Sequence, residues 1–294
     1  MTRNPPPEKI SIILPARNES AAIGRTLAAI ARILPFAEII VVDDGSTDGT
    51  GDLARAAGAV VVGHPYSKGN GAAIKAGARE ATGDILVFLD ADGQHDPADI
   101  PRLLARLDEG YDMAVGARQA GSQASLGRGL ANRLYNGLAS YMTGHLVEDL
   151  TSGFRAVRAK KFREFLYLLP NGFSYPTTIT MAFFRAGYSV IYEPIHAARR
   201  IGKSHIKLFR DGLRFLLIIF KIGTLYSPLK LFLPFSALLF LTGTGWYVRT
   251  YIEQGRFTNM SALFYTGGIT IFLMGLISEQ ITSLMYKDSG EQRD

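Results

Sequence analysis

Two uncharged apolar stretches stand in succession near the C-terminus, Leu231 to Val248 and Met260 to Ser278. Each approaches the roughly 20 residues that an α-helix needs to cross the hydrocarbon core of a bilayer. A soluble domain rarely carries two such lengths side by side with aromatic flanks, here Phe232, Trp246, Tyr247 and Tyr286. They predict a transmembrane helical hairpin over 229–286 and a tail over 287–294. Cationic residues gather before the first stretch at Arg210, Arg214, Lys221 and Lys230, whereas the intervening loop holds Arg249 and Arg256 partly balanced by Glu253. The positive-inside rule then puts both termini and the preceding domain in the cytoplasm, making a multi-pass protein of the cell (inner) membrane. Glu279 ends the second stretch at headgroup level, where its charge costs little.

The chain has 294 residues, which leaves room ahead of the hairpin for one domain of roughly 200 residues, enough to bury a substantial core. Met1 to Lys9 is polar and Pro-rich with no apolar run, which predicts a disordered N-terminal segment and no cleavable secretion signal. With no cysteine, disulfides, thiolate catalysis and zinc–thiolate sites are excluded. A hydrophobic share of 47% beside a formal net charge of +6 points to an anionic membrane surface, phosphorylated substrates, or both. No nucleic-acid partner is expected.

From residue 10 to about 205, short β-branched runs alternate with helical stretches: Ile10 to Leu14, Glu38 to Val42, Ala59 to Val62, Ile85 to Leu89 and Met113 to Val115. Runs apolar on both faces suit a mostly parallel sheet covered by helices, so the fold class expected is α/β, with a Rossmann-like sheet and helices on both faces. Over 206–228, Lys207, Arg210, Asp211, Arg214 and Lys221 recur at helical spacing among Leu, Phe and Ile, as in a basic amphipathic helix at a membrane interface or one packed on the domain.

The chemistry gathers at strand ends, where open α/β sheets bind ligands. The first strand runs into Pro15-Ala16-Arg17-Asn18-Glu19 and the second into Asp43-Asp44-Gly45-Ser46-Thr47-Asp48-Gly49-Thr50. Carboxylates there suit a base or ribose, yet the same residues suit a turn and a helix cap. Tyr66-Ser67-Lys68-Gly69-Asn70-Gly71 fits a phosphate at a helix start and fits a plain loop equally well. The strand ending at Leu89 delivers Asp90, Asp92 and Gln94 to one side of an extended chain. Oxygen ligands at that spacing suit Mg2+ or Mn2+, which would bridge a diphosphate and assist its departure. Asp149, before Thr151-Ser152-Gly153, reads as a turn residue rather than an acid catalyst.

Taken in order and spacing, Pro-Ala-Arg-Asn-Glu, Val-Val-Asp-Asp-Gly-Ser-Thr-Asp-Gly-Thr, Lys-Gly-Asn-Gly-Ala-Ala, Asp-Ala-Asp-Gly-Gln and Asp149-Leu150-Thr151-Ser152-Gly153-Phe154-Arg155 resemble the family 2 (GT-A) glycosyltransferases. They most resemble the polyprenyl-phosphate branch, which includes dolichyl-phosphate mannose synthase and bacterial undecaprenyl-phosphate sugar transferases. The resemblance covers about residues 10 to 210, and the paired C-terminal spans match bacterial members with a two-helix anchor.

The resemblance implies that Pro15, Arg17, Glu19, Val42 and Asp44 line a nucleotide pocket, that Lys68 with Asp90, Ala91 and Asp92 completes the donor site, and that Asp90, Asp92 and Gln94 surround the metal. It implies an acceptor-phosphate clamp of Arg118, Arg128, Asn132, Ser204 and His205, and puts Arg199 on the donor diphosphate or the acceptor; Asp92, Arg118, Arg128 and Arg199 are then the catalytic set. Arg17 stands where the family commonly has tyrosine, so the base is not specified. His205 stands where the family has lysine, a role left to Lys203 or Lys207.

The activity implied is inverting transfer of a hexose from a nucleotide sugar, of GDP-mannose or UDP-glucose type, to undecaprenyl or dolichyl phosphate. Such an acceptor is already mostly dianionic at neutral pH and needs no general base. A hydroxyl acceptor would need one, and Phe173-Ser174-Tyr175-Pro176-Thr177-Thr178 lacks the acid that related hydroxyl-directed transferases carry there. Two alternatives stand: transfer to a sugar or lipid hydroxyl, and a non-catalytic membrane scaffold. Gly243, Gly245, Gly267 and Gly268 permit close helix approach and homo-oligomerisation under each of them.

Overall fold

The computed structural model describes residues 8–118, 126–172, 174–196, 220 and 223–291, the side chains of 126–132 and 286–291 excepted. The chain forms two compact units, Met1–His205 and Ile206–Asp294.

In the first unit, β1 (Ile10–Ala16), β2 (Glu38–Asp43), β3 (Val60–Gly63), β4 (Ile85–Phe88), β5 (Met113–Arg118), β6 (Arg155–Arg158) and β7 (Val190–Ile195) make one seven-stranded sheet in the order β3-β2-β1-β4-β6-β5-β7. β1 pairs parallel with β2 and β4, Ile12 lying opposite Ile39 and Val87. Only β6 runs against its neighbours, with Arg155 opposite Phe88 of β4 and Val115 of β5. Two antiparallel pairings in a row restore the direction. The C-terminal ends of β1, β2, β4 and β5 and the start of β6 therefore share one edge of the sheet.

Successive strand residues face opposite layers. Ile12, Leu14 and Val41 pack with Ile23, Leu27 and Ile30 of α1 (Ser20–Ile33) and with Leu103 and Leu107 of α4 (Ile100–Asp108). Ile13 and Val42 face the other layer, where α3 (Asn70–Glu80) lies so close that a Cβ on Gly77 would stand 2.4 Å from Ile13 Cγ2. The other described α-helices of this unit are α2 (Thr50–Ala56), α5 (Leu126–Thr143), α6 (Ala159–Arg163) and α7 (Tyr175–Arg185). The five expected strands are all present, with ends shifted by a few residues. β6 and β7 were not expected, because Arg155, Glu193 and Pro194 interrupt their apolar pattern.

Among its described residues the second unit holds two helices long and apolar enough to cross a membrane, Pro228–Gln254 and Asn259–Glu291, joined by a turn that begins with Gly255 at φ +65°. They pack antiparallel by setting glycine against phenylalanine: a Cβ on Gly243 would lie 3.0 Å from Phe264, one on Gly268 2.8 Å from Phe240, and one on Gly275 2.9 Å from Phe232. Ser236 Oγ adds a hydrogen bond to the Gly268 carbonyl at 2.8 Å. Glu279 accepts the Leu229 N–H at 3.2 Å, capping the start of the first helix with the charge that its dipole favours. Within this hairpin Gly243 and Gly268 serve the intrachain contact, while nothing lies within 4 Å of a Cβ on Gly245.

Candidate active site

The loops leaving β1 and β2 are tied together across the sheet edge. Asn18, at φ +55°, offers Oδ1 to the Thr47 N–H at 2.9 Å and donates its own N–H to Ser46 Oγ at 3.0 Å. The Glu19 N–H reaches Thr50 Oγ1 at 2.9 Å, and the Ser20 N–H reaches Asp48 Oδ2 at 3.0 Å. Pro15 and Glu19 are half-buried on this rim and Arg17 is exposed. The Val42 side chain is wholly buried in the layer under α3.

Asp44 is buried and has four partners: His64 Nδ1 at 2.7 Å and the Lys68 N–H at 2.8 Å on Oδ1, with Ser67 Oγ at 2.7 Å and the Gly69 N–H at 2.9 Å on Oδ2. Burial alone would raise its pKa, but these bonds outweigh it and hold the carboxyl down at about 2. Four lone-pair sites are thus spent on the loop from His64 to Gly69. That loop crosses Gly45, whose φ is +71° and whose Cβ would stand 2.8 Å from Ser67 N, so glycine is required twice over.

The glycines that follow are packing devices. Gly71 N–H binds the Gly172 carbonyl at 3.2 Å and Ala72 N–H the Asn171 carbonyl at 2.9 Å, while a Cβ on Gly71 would stand 2.0 Å from Pro170 O. The Gly71 and Ala72 N–H groups at the start of α3 are thus taken by the 171–172 segment. Lys68 is exposed, its ammonium 5.9 Å from the Tyr66 ring centroid.

The acidic segment also differs from expectation. β4 ends at Phe88, and 91–93 make a turn with Gly93 at φ +73°, so Asp90, Asp92 and Gln94 do not alternate along an extended chain. Instead the Gln94 N–H bonds back to Asp92 Oδ1 at 3.1 Å. Ala91 is buried, while Asp90, Asp92 and Gln94 are half-buried. Asp90 rests on Gly153, where a Cβ would stand 3.1 Å from Oδ2. Among the described residues no three His, Cys, Asp or Glu side chains converge on one point. Two carboxylates in one turn fit a hard divalent cation that keeps waters and completes its shell with phosphate oxygens, unlike an all-protein zinc cage.

Across β6 from Asp90, Arg118 ends β5 and grips Asp149: Nε to Oδ2 is 2.7 Å and Nη2 to Oδ1 is 3.0 Å. Nη2 also donates to Thr151 Oγ1 at 2.6 Å, and Asp149 Oδ1 accepts the Thr151 N–H at 3.1 Å, an Asx turn. Burial opposes ionisation of Asp149, but Arg118 holds its pKa below the ordinary value and Asp149 raises that of Arg118. Arg155 is completely buried, donating Nη1 to Pro176 O and Thr180 Oγ1, each at 3.2 Å, and Nη2 to Ser152 O, with the Tyr175 ring 5.7 Å away. The Tyr175 hydroxyl binds the Gly153 carbonyl at 3.1 Å, which secures the segment under Asp90.

The sheet edge thus gathers Pro15, Arg17, Glu19, Asp44, Asp90, Asp92 and Arg118. Arg128 and Asn132 fall on α5, but their side chains lie outside the described residues, as do Arg199, Lys203, Ser204 and His205 entirely. Sequence reasoning missed Gly153, Arg155 and His95 as parts of this corner. The Asp149–Arg155 motif was the available signal for the first two.

Residues 11–166 match Glycosyl transferase family 2, and 227–284 match the GtrB C-terminal hairpin. The chain is 32% identical to undecaprenyl-phosphate 4-deoxy-4-formamido-L-arabinose transferase of Serratia proteamaculans, over 96% of this chain and 90% of that protein. The same enzyme of Klebsiella pneumoniae is 30% identical with the same coverage. Among solved structures, glucosyl-3-phosphoglycerate synthase from Mycobacterium tuberculosis, in complex with Mn2+, UDP and glucosyl-3-phosphoglycerate, superposes with a TM-score of 0.60 at 25% identity, covering 74% of this chain and 79% of that one. That synthase has also been solved with Mg2+ and UDP. With the family signature covering the strands that carry the site and relatives matched along nearly the whole chain, the protein is a glycosyltransferase and belongs to glycosyl transferase family 2.

Proposed function

We propose that this enzyme transfers a hexose, with inversion, from a nucleotide-diphosphate sugar to a polyprenyl phosphate, giving a polyprenyl-phosphate sugar for cell-envelope glycans or protein glycosylation. The observation that carries the reading is the state of Asp149. It is the buried carboxylate beside Arg118, both its oxygens are engaged, and its pKa is lowered, so it is a weak base. The first turn of α7 meets the corner through Tyr175, which is not an acid. Neither Asp149 nor Tyr175 offers a base to a hydroxyl acceptor, whereas a phosphate monoester arrives ionised. The relatives act on undecaprenyl phosphate by name, and the hairpin suits an acceptor held in a membrane.

In this reading Asp90 and Asp92 hold Mg2+ or Mn2+, which when bound offsets charge on the departing nucleoside diphosphate. Gly153 lets the Asp90 carboxylate lie flat against the backbone. Arg118, oriented by Asp149 and Thr151 through Nε and Nη2, would offer Nη1 to an anion while staying paired, which the single ammonium of lysine could not do. The β1–β2 rim, with Pro15, Arg17 and Glu19, receives the nucleotide, and Asp44 stiffens the loop carrying Lys68 beside it. Gln94 remains a candidate third oxygen ligand, while Arg128, Asn132, Arg199, Ser204 and His205 complete the two anion sites. We further propose a catalytic domain over 10–205, an interface helix over 206–228, both termini in the cytoplasm, and a homo-oligomer.

The test is a screen of labelled nucleotide sugars against undecaprenyl phosphate with the purified enzyme in detergent. One donor is expected to label the lipid, and Asp92→Ala or a chelator to abolish the reaction. Full turnover by Asp92→Ala in the presence of chelator would remove the cation from the mechanism. Labelling of soluble sugars without response to the lipid would favour the hydroxyl acceptor.

A further inference from the structure

His95 follows the acidic turn and is only 6% exposed, with its ring stacked on Phe154 at a centroid distance of 5.2 Å. Its Nδ1 is buried without a hydrogen-bond partner and points at Asp90, 3.8 Å from Oδ2. Gly153 closes the other side of that carboxylate. A buried polar atom left unmatched is rare and calls for a partner that arrives later.

We propose that His95 is a positioning residue for the cation site, its Nδ1–H closing on Asp90 Oδ2 to fix the carboxylate when the ion binds. The inference rests on the reading of Asp90 as a ligand. A gap of 3.8 Å shortens to a charge-assisted bond of about 2.8 Å with a small rotation of either side chain. Such an outer-shell donor sets the rotamer and basicity of the ligand it touches. Direct ligation by His95 is disfavoured because a hard cation such as Mg2+ takes oxygen ligands.

The experiment is titration of Mn2+ alone into the full chain in detergent, followed by the EPR signal of the free ion. The variants are His95→Asn, whose amide nitrogen takes the place of Nδ1, His95→Gln, whose amide nitrogen falls near Nε2, and His95→Phe, which keeps the stacking. His95→Phe and His95→Gln are expected to weaken Mn2+ binding by roughly 10- to 100-fold, with His95→Asn within about threefold of the parent. Equal affinity in all four proteins would overturn the proposal. So would loss of affinity in all three variants in step with a lower Tm of the metal-free protein, which marks a packing role. Nitrogen-14 coupling to Mn2+ in the parent, absent in His95→Phe, would make His95 a ligand and overturn it as well. If the parent binds no Mn2+ and Asp90→Asn changes nothing, the reading of Asp90 itself fails and the inference falls with it.

Discussion

Arg118 and Asp149, 31 residues apart in sequence, face each other through two parallel N–H···O bonds of 2.7 and 3.0 Å. Asp149 has little access to water, so removing its partner strands a buried charge. Arg118→Ala is expected to destabilise the first unit by about 3 kcal/mol, with a fall of roughly 10 °C in Tm. Replacing both residues by leucine should cost less than the sum of the single changes. A double-mutant cycle by denaturant titration measures the coupling.

Asp44 gives stability a defined acid limit. Its folded pKa of about 2 lies below the ordinary 3.8, so its contribution is complete above the unfolded value and is lost as pH falls through the folded one. The stability gap between the parent and Asp44→Asn should shrink by about 2 kcal/mol between about pH 5 and about pH 2, as read by denaturant titration across that range.

Much of this was legible because buried parallel strands announce themselves as unbroken apolar runs, and β1 to β5 did so. β6 and β7 hid behind polar residues whose partners are distant in sequence. The Arg155 Nη atoms are met by carbonyls and Thr180, and Glu193 by Arg102 and Arg106. The chemical types at the site were readable from motif spacing, but their geometry was not. An extended reading of Asp90 to Gln94 ignored that Gly93 and the side chain of Asp92 build a turn. Asp149 was read as a turn residue, and its second task, holding Arg118, depends on a chain crossing that spacing does not reveal.

Gly153 is the floor under Asp90. Its Cβ in Gly153→Ala would stand 3.1 Å from Oδ2, tighter than an ordinary contact, so the carboxylate must move by a few tenths of an ångström. Mn2+ affinity should fall about tenfold while Tm changes little, because the strain falls on a side chain at the site rather than on the core. Calorimetric titration with parallel melting curves checks both halves of the expectation.

In the hairpin, the glycine contacts are unequal. Gly268→Val forces the helices apart at Phe240 and disturbs the Ser236 bond, at an expected cost of about 1–3 kcal/mol. Gly245→Ala meets nothing within 4 Å and should be neutral. Thermal unfolding in detergent compares the two, and equal effects would mean that this face packs against something else.

The central claim is that the nucleophile is a phosphate that arrives charged. The direct measurement sets undecaprenyl phosphate against undecaprenol, with the donor chosen by the screen, and counts label entering the lipid phase. The account predicts transfer to the phosphate and none above background to the alcohol, and transfer that stays level from about pH 7 to about pH 8, where the phosphate is already mostly ionised. Comparable transfer to undecaprenol, rising with pH as a base is deprotonated, would contradict it.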